Sequence, residues 1–112
     1  ELLDQIFKVH PSHSLEEITY HRNNGGLLAL SCRIGRFECA NILLKLGANV
    51  SVEDANHETC LHFAAKNGKA DIIQILLDYK ANPNARNHDG WTPLHWSSSN
   101  GRTEGTKILL EN

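Results

Sequence analysis

Seven histidines, three cysteines and the run Ser97-Ser98-Ser99 are the side chains of this 112-residue sequence that could carry chemistry. A hydrolase needs a nucleophile beside a base, paired carboxylates in a cleft, or a glycine-rich phosphate loop. The serines offer hydroxyls, and an autonomous hydrolase built on them requires a base packed alongside. Yet Ser97 and Ser98 stand 33 residues after Ala64 and Ala65, so small size is what these positions share. Glu16-Glu17, on a segment that reads as an exposed loop, is a solvated surface. His10-x2-His13 supplies two metal ligands with no third nearby, and Cys32-x6-Cys39 lacks a neighbouring histidine pair, so neither completes a zinc site. The expectation is a chain with no catalytic residue, no metal site and no cofactor.

Composition narrows the class further. At 40% hydrophobic and 21% charged residues, the chain reads as one soluble globular domain with a modest core. Its formal charge of −2 is spread without a basic stripe, so nucleic acid is not an expected partner. The apolar runs, such as Gly26 to Leu30 and Ile75 to Leu77, fall far short of the roughly 20 residues a bilayer span needs. No secretory signal is recognisable, and the first residue is Glu1 rather than Met, which suggests a segment of a longer protein. Cys32, Cys39 and Cys60 are odd in number and lie at helix positions, so they are expected as small core hydrophobes of a reducing compartment, without a disulfide. The expected location is intracellular, in cytoplasm or nucleus.

The elements that position these residues follow a fixed period. Thr59-Cys60-Leu61-His62-Phe63-Ala64-Ala65-Lys66-Asn67-Gly68 returns 33 residues later as Thr92-Pro93-Leu94-His95-Trp96-Ser97-Ser98-Ser99-Asn100-Gly101. Ile42-Leu43-Leu44, Ile75-Leu76-Leu77 and Ile108-Leu109-Leu110 keep the same register. Thr59 and Thr92 are suited to cap a helix, Pro93 to its first turn, and Gly68 and Gly101 to stop it in a left-handed conformation. A second helix then runs from Ala70 to Asp78, apolar around most of its circumference and therefore sandwiched between neighbours. Helices this short are marginal alone, so stability must come from stacking one pair on the next. The segments Ala48 to His57 and Ala81 to Gly90, rich in Asn, Gly and Pro, read as extended links with tight turns.

Two positions depart from the pattern. Gly26 replaces the capping threonine in the earliest copy, and a threonine there would stabilise the helix if the backbone φ is negative. Arg102 to Lys107 is a poor helix sequence with a glycine and two threonines, so the last helix is expected to fray. It would also end at Asn112 without a polar outer face, so more chain is expected beyond it.

The Thr-Pro-Leu-His motif at Thr92 to His95, its counterpart at Thr59 to His62, and the Leu-Leu pairs followed by Ala48-Asn49 and Ala81-Asn82 resemble the ankyrin repeat over residues 18–112. The resemblance implies an all-α ankyrin-repeat solenoid of helix-turn-helix units with β-hairpin fingers. The implied organisation is an N-terminal helix and loop at 1–17, a degenerate repeat at 18–50, a repeat at 51–83, and a repeat at 84–112 truncated at its C-terminal end. In this family the histidine of the motif, here His62 and His95, bonds the loop between neighbouring repeats, a framework task. His21, His57 and His88 fall in the finger slots as turn residues.

The function implied is non-enzymatic binding of a protein or peptide of unknown identity on the concave face formed by fingers and first helices. The alternative is a regulatory or substrate-recruiting segment of a larger enzyme, such as a kinase, an acyltransferase or a ubiquitin-ligase adaptor. Residues free of the packing pattern give the candidate face: Tyr20, Arg22, Asn23, Arg33 and Ile34; then Glu53, Asn56, Glu58, Lys66 and Asn67; then Arg86, His88, Asp89, Trp91, Ser99 and Asn100. Trp91 weighs most, because Glu58 and Gly25 hold its slot in the other repeats and no packing rule asks for an indole there. Trp96 shares a slot with Phe63 and Leu30 and is expected in the core. Asn84, with Ser51 at the equivalent slot, lies where ankyrin proteins resemble substrates of the intracellular asparaginyl hydroxylase.

Overall fold

The computed structural model describes residues 26–112; the N-terminal helix and loop expected at 1–17, and Tyr20, Arg22 and Asn23, lie outside the described residues. Six helices run through the described part: α1 Gly26–Ile34, α2 Phe37–Lys45, α3 Cys60–Asn67, α4 Ala70–Asp78, α5 Pro93–Ser99 and α6 Thr103–Leu110. They form three antiparallel pairs. The first helices make one layer, with α3 between α1 and α5, and the second helices make another, with α4 between α2 and α6.

The local causes are those the threonines announced. Thr59 and Thr92 stand in extended conformation, each accepting the amide hydrogen of the histidine three residues on, at 3.3 and 3.4 Å. Each histidine reciprocates, its Nδ1 accepting the threonine amide at 3.0 and 2.9 Å. This is a capping box in which imidazole replaces the usual carboxylate or amide. Gly68 ends α3 at φ 70°, while α5 ends on Asn100 with Gly101 following at φ 67°.

Packing explains the interior. Cys60, Leu61, Ala64 and Ala65 of α3 and Ile72, Ile73 and Leu76 of α4 are buried, joined by Leu28, Ala29 and Cys32 of α1 and by Ala40, Leu43 and Leu44 of α2. The middle pair therefore has its apolar faces covered on both sides, as nearest-neighbour stacking requires. All three cysteines are free, but only Cys32 and Cys60 are core residues; Cys39 is half-buried, on a part of α2 that the core does not fully cover.

Other expectations need correction. The final helix is formed through Leu110, and Gly105 in it is buried: a Cβ there would lie 2.9 Å from Cδ1 of Ile73, so the glycine permits close approach of α6 to α4. Gly26 sits at φ 77°, so it supplies a left-handed turn and is not a vacant threonine cap. No β-strand occurs among the described residues. Each finger is closed by a turn with a single cross-link of the hairpin kind, Asp54 amide to Glu58 carbonyl at 3.1 Å and Asn87 amide to Trp91 carbonyl at 2.9 Å. One such bond per finger is too short a ladder to make a strand.

Candidate protein-binding face

The fingers are organised by two residues at equivalent positions. Asp54 Oδ1 accepts the amides of Asn56 and Glu58 at 2.8 and 2.9 Å, and Asn87 Oδ1 accepts those of Asp89 and Trp91, both at 2.9 Å. The second finger leans on the first through the His88 amide, which donates to the Asn56 carbonyl at 2.8 Å. Because Asn87 is an amide where Asp54 is an acid, it has a donor to spare, and Nδ2 gives it to the Glu58 carboxylate.

Glu58 is thereby drawn inside. It is 8% exposed, and Trp96 Nε1 donates to its two oxygens at 2.9 and 3.3 Å. The expectation that Glu58 projects freely is corrected: its carboxylate ties the first finger to the second and to α5. Trp96 packs against the core, as expected, but at its edge. It is half-buried, anchored by its indole nitrogen, with Lys66 Nζ 4.5 Å from its ring centroid. Arg33 repeats the arrangement one unit earlier, 5.7 Å from the Phe63 ring. Trp91 also packs, stacked on His95 at 5.6 Å and edge-on to Trp96 at 4.9 Å between centroids. These contacts hold the half-buried indole against its own repeat.

Fingers and first helices enclose a groove of about 380 Å³ lined by Asp54, Asn56, Glu58, Phe63, Lys66, Asn87, His88, Asp89 and Trp96. The structure thus brings together five of the expected residues, Asn56, Glu58, Lys66, His88 and Asp89. Sequence reasoning missed Asp54, Phe63, Asn87 and Trp96. Asn87 was detectable as the amide standing where the previous repeat has an acid.

The remaining candidates lie elsewhere. Arg33 and Ile34 are exposed at the end of α1, and Ser99 is exposed at the end of α5. Glu53 pairs with His57 Nδ1 at 2.9 Å, and Arg86 donates to the Gly90 carbonyl at 3.0 Å, both on exposed finger surface. Asn67 and Asn100 do framework work: their amides donate to the carbonyls of Arg33 and Lys66, tying each first helix to the one before it. Asn84 is exposed, with its own amide bound to Asn82 Oδ1 at 2.9 Å.

Among the described residues the serine run does not form a nucleophile site. Ser97 is fully buried and bonds the Leu94 carbonyl at 3.2 Å and Thr106 Oγ1 at 3.0 Å, with no base beside it, while Ser98 and Ser99 are exposed. Among the described residues no group of histidine, cysteine and carboxylate side chains could hold a metal ion, and no helix is long and apolar enough to cross a membrane.

A family model of ankyrin repeats in three copies matches residues 19–112, and the chain belongs to that family. No curated protein matches it. Ankyrin repeats are in general protein–protein interaction modules and typically non-catalytic.

Proposed function

We propose that this chain is a non-enzymatic recognition module whose three repeats, at 18–50, 51–83 and 84–112, present a partner protein with the face formed by fingers and first helices. The observation that carries the reading is the open groove in which Lys66 and Trp96 of the helix layer face His88 and Asp89 of the fingers. The second helices turn the other way, with Gln74 and Asp78 exposed and bonded to each other at 3.0 Å. Arg33 and Ile34 extend the groove surface toward the preceding repeat, and the intracellular setting expected from the free cysteines fits such a role. Asn84 is proposed as a hydroxylation site on the exposed finger; mass spectrometry after incubation with the asparaginyl hydroxylase should show one added oxygen on its peptide.

The test is affinity capture from a cytosolic lysate followed by substitution on both faces. Asp89→Lys should weaken the captured partner at least about tenfold, the range of interface anchors, with little change in melting temperature. Gln74→Ala and Asp78→Ala should leave it bound. The opposite pattern would place the partner on the second helices.

A further inference from the structure

Glu58 presents a problem that the framework alone does not solve. Its carboxylate is 8% exposed, yet no cation lies within pairing distance among the described residues. Buried charges are ordinarily paired, because lost hydration must be offset by an opposite charge. Here the donors are neutral, the Trp96 indole and the Asn87 amide. The groove above adds the carboxylates of Asp54 and Asp89 against one lysine, Lys66. That lysine is already seated on the Trp96 ring, with Nζ 4.5 Å from the centroid, so the ring face is an occupied cation seat that stands open to the groove.

We propose that this groove receives an arginine side chain of the partner protein, its guanidinium laid on the Trp96 ring and paired with Glu58, with the Lys66 ammonium displaced. Arginine fits better than lysine for a geometric reason. A guanidinium stacked on the ring directs its N–H groups outward in its own plane, toward the indole edge where the Glu58 oxygens sit 2.9 and 3.3 Å from Nε1. It is also more weakly hydrated than an ammonium, so it enters a half-buried site at lower cost. The partner cation would supply the charge that Glu58 lacks. This inference rests on the reading of the groove face as the binding face.

The probe is a capped Gly-Arg-Gly peptide, titrated to about 10 mM, a range that detects millimolar binding, into the nitrogen-15-labelled chain while the Trp96 indole N–H resonance is followed. Versions with citrulline or glutamate in place of arginine serve as controls. The arginine peptide should shift the Trp96 indole and His88 amide signals and bind about tenfold tighter than the citrulline peptide, with affinity falling as salt rises. Glu58→Gln keeps an acceptor for the indole and should weaken binding about tenfold, with a thermal melt confirming the fold. Lys66→Ala, at an exposed position, should tighten it about threefold by removing the resident cation; this variant decides the matter if Glu58→Gln does not fold. Equal response to arginine and citrulline, no response at all, or indifference to both substitutions would overturn the proposal. If the arginine peptide fails while Asp89→Lys still abolishes capture of the partner, the binding face stands and the arginine site falls. Loss of capture on substitution of Gln74 and Asp78 alone overturns both.

Discussion

Nε2 of His62 lies 2.8 Å from the carbonyl oxygen of Trp91, which stands in the next repeat 29 residues on. Since Nδ1 of the same ring accepts the Thr59 amide, the proton must sit on Nε2 and be donated to that carbonyl. One neutral, fully buried imidazole thus closes the cap of its own helix and holds the finger of its neighbour. His95 makes the same cap at 2.9 Å, but its ring is exposed and Nε2 has no partner among the described residues.

The two histidines should therefore differ in energetic weight. His62→Ala leaves the Thr59 amide and Trp91 carbonyl without their buried partner and should cost about 2–3 kcal/mol. His95→Ala loses a solvated cap and an exposed stack on Trp91, and should cost about 1 kcal/mol. Urea melts of both variants check this; equal costs would mean that the bond between repeats contributes nothing.

At the first described helix the backbone decides the sign. With φ at 77°, Gly26→Thr forces a β-branched residue into the left-handed region and should destabilise by about 1–2 kcal/mol, whatever capping its hydroxyl offers. A rise in melting temperature for that variant would show that the turn relaxes to negative φ.

What was legible in the sequence was the part that repeats. Thr59 and Thr92 announced two helix starts, Gly68 and Gly101 their ends, and the Ile-Leu-Leu triplets the second helices, because each depends on interactions within one turn or one repeat. Asn67 and Asn100 also stand 33 residues apart, yet the sequence reading placed both on the candidate face; only their bonds to the Arg33 and Lys66 carbonyls show the framework role. Glu58 was not legible. Its burial depends on Trp96, 38 residues away, and on Asn87, 29 away, neither of which has a counterpart with the same chemistry in the repeat before. Gly26 was misread for a related reason: a cap slot and a left-handed turn both admit glycine, and only the backbone angle separates them.

The close contact of Gly105 with Ile73 gives a sharper test of packing between α4 and α6. Alanine at 105 would gain about 1 kcal/mol of helix propensity. Its methyl, however, would sit 2.9 Å from Cδ1 of a fully buried isoleucine, and such overpacking typically costs about 1–3 kcal/mol. Gly105→Ala should be destabilising on balance. Ile73→Val removes that Cδ1, at about 0.5–1.5 kcal/mol by itself, and should relieve the clash in the double variant. A double-mutant cycle should then give a favourable coupling of about 1 kcal/mol; additivity would show that Ile73 moves aside freely.

The last prediction concerns alkaline pH. Cys32 hydrogen-bonds Cys60 within the core, and that bond, followed by burial and the nearby Cys60 charge, raises its thiol well above the ordinary value. A group whose pKa is raised on folding contributes stability that is complete below the unfolded pKa and is lost as pH rises above it, because the unfolded chain then releases the proton and the folded one does not. With an unfolded thiol near 8.5, the loss should grow by about 1.4 kcal/mol per pH unit beyond that point until the folded thiol titrates. Cys32→Ala lacks this term. Its stability deficit relative to the parent, from the lost sulfur and its packing, should be largest near pH 7 and shrink as the pH is raised to 10. Denaturant melts of both proteins at the two pH values measure the difference directly, and since lysine and tyrosine titrations are common to both, a deficit that stays constant would mean that the Cys32 thiol ionises in the folded chain as readily as in the unfolded one.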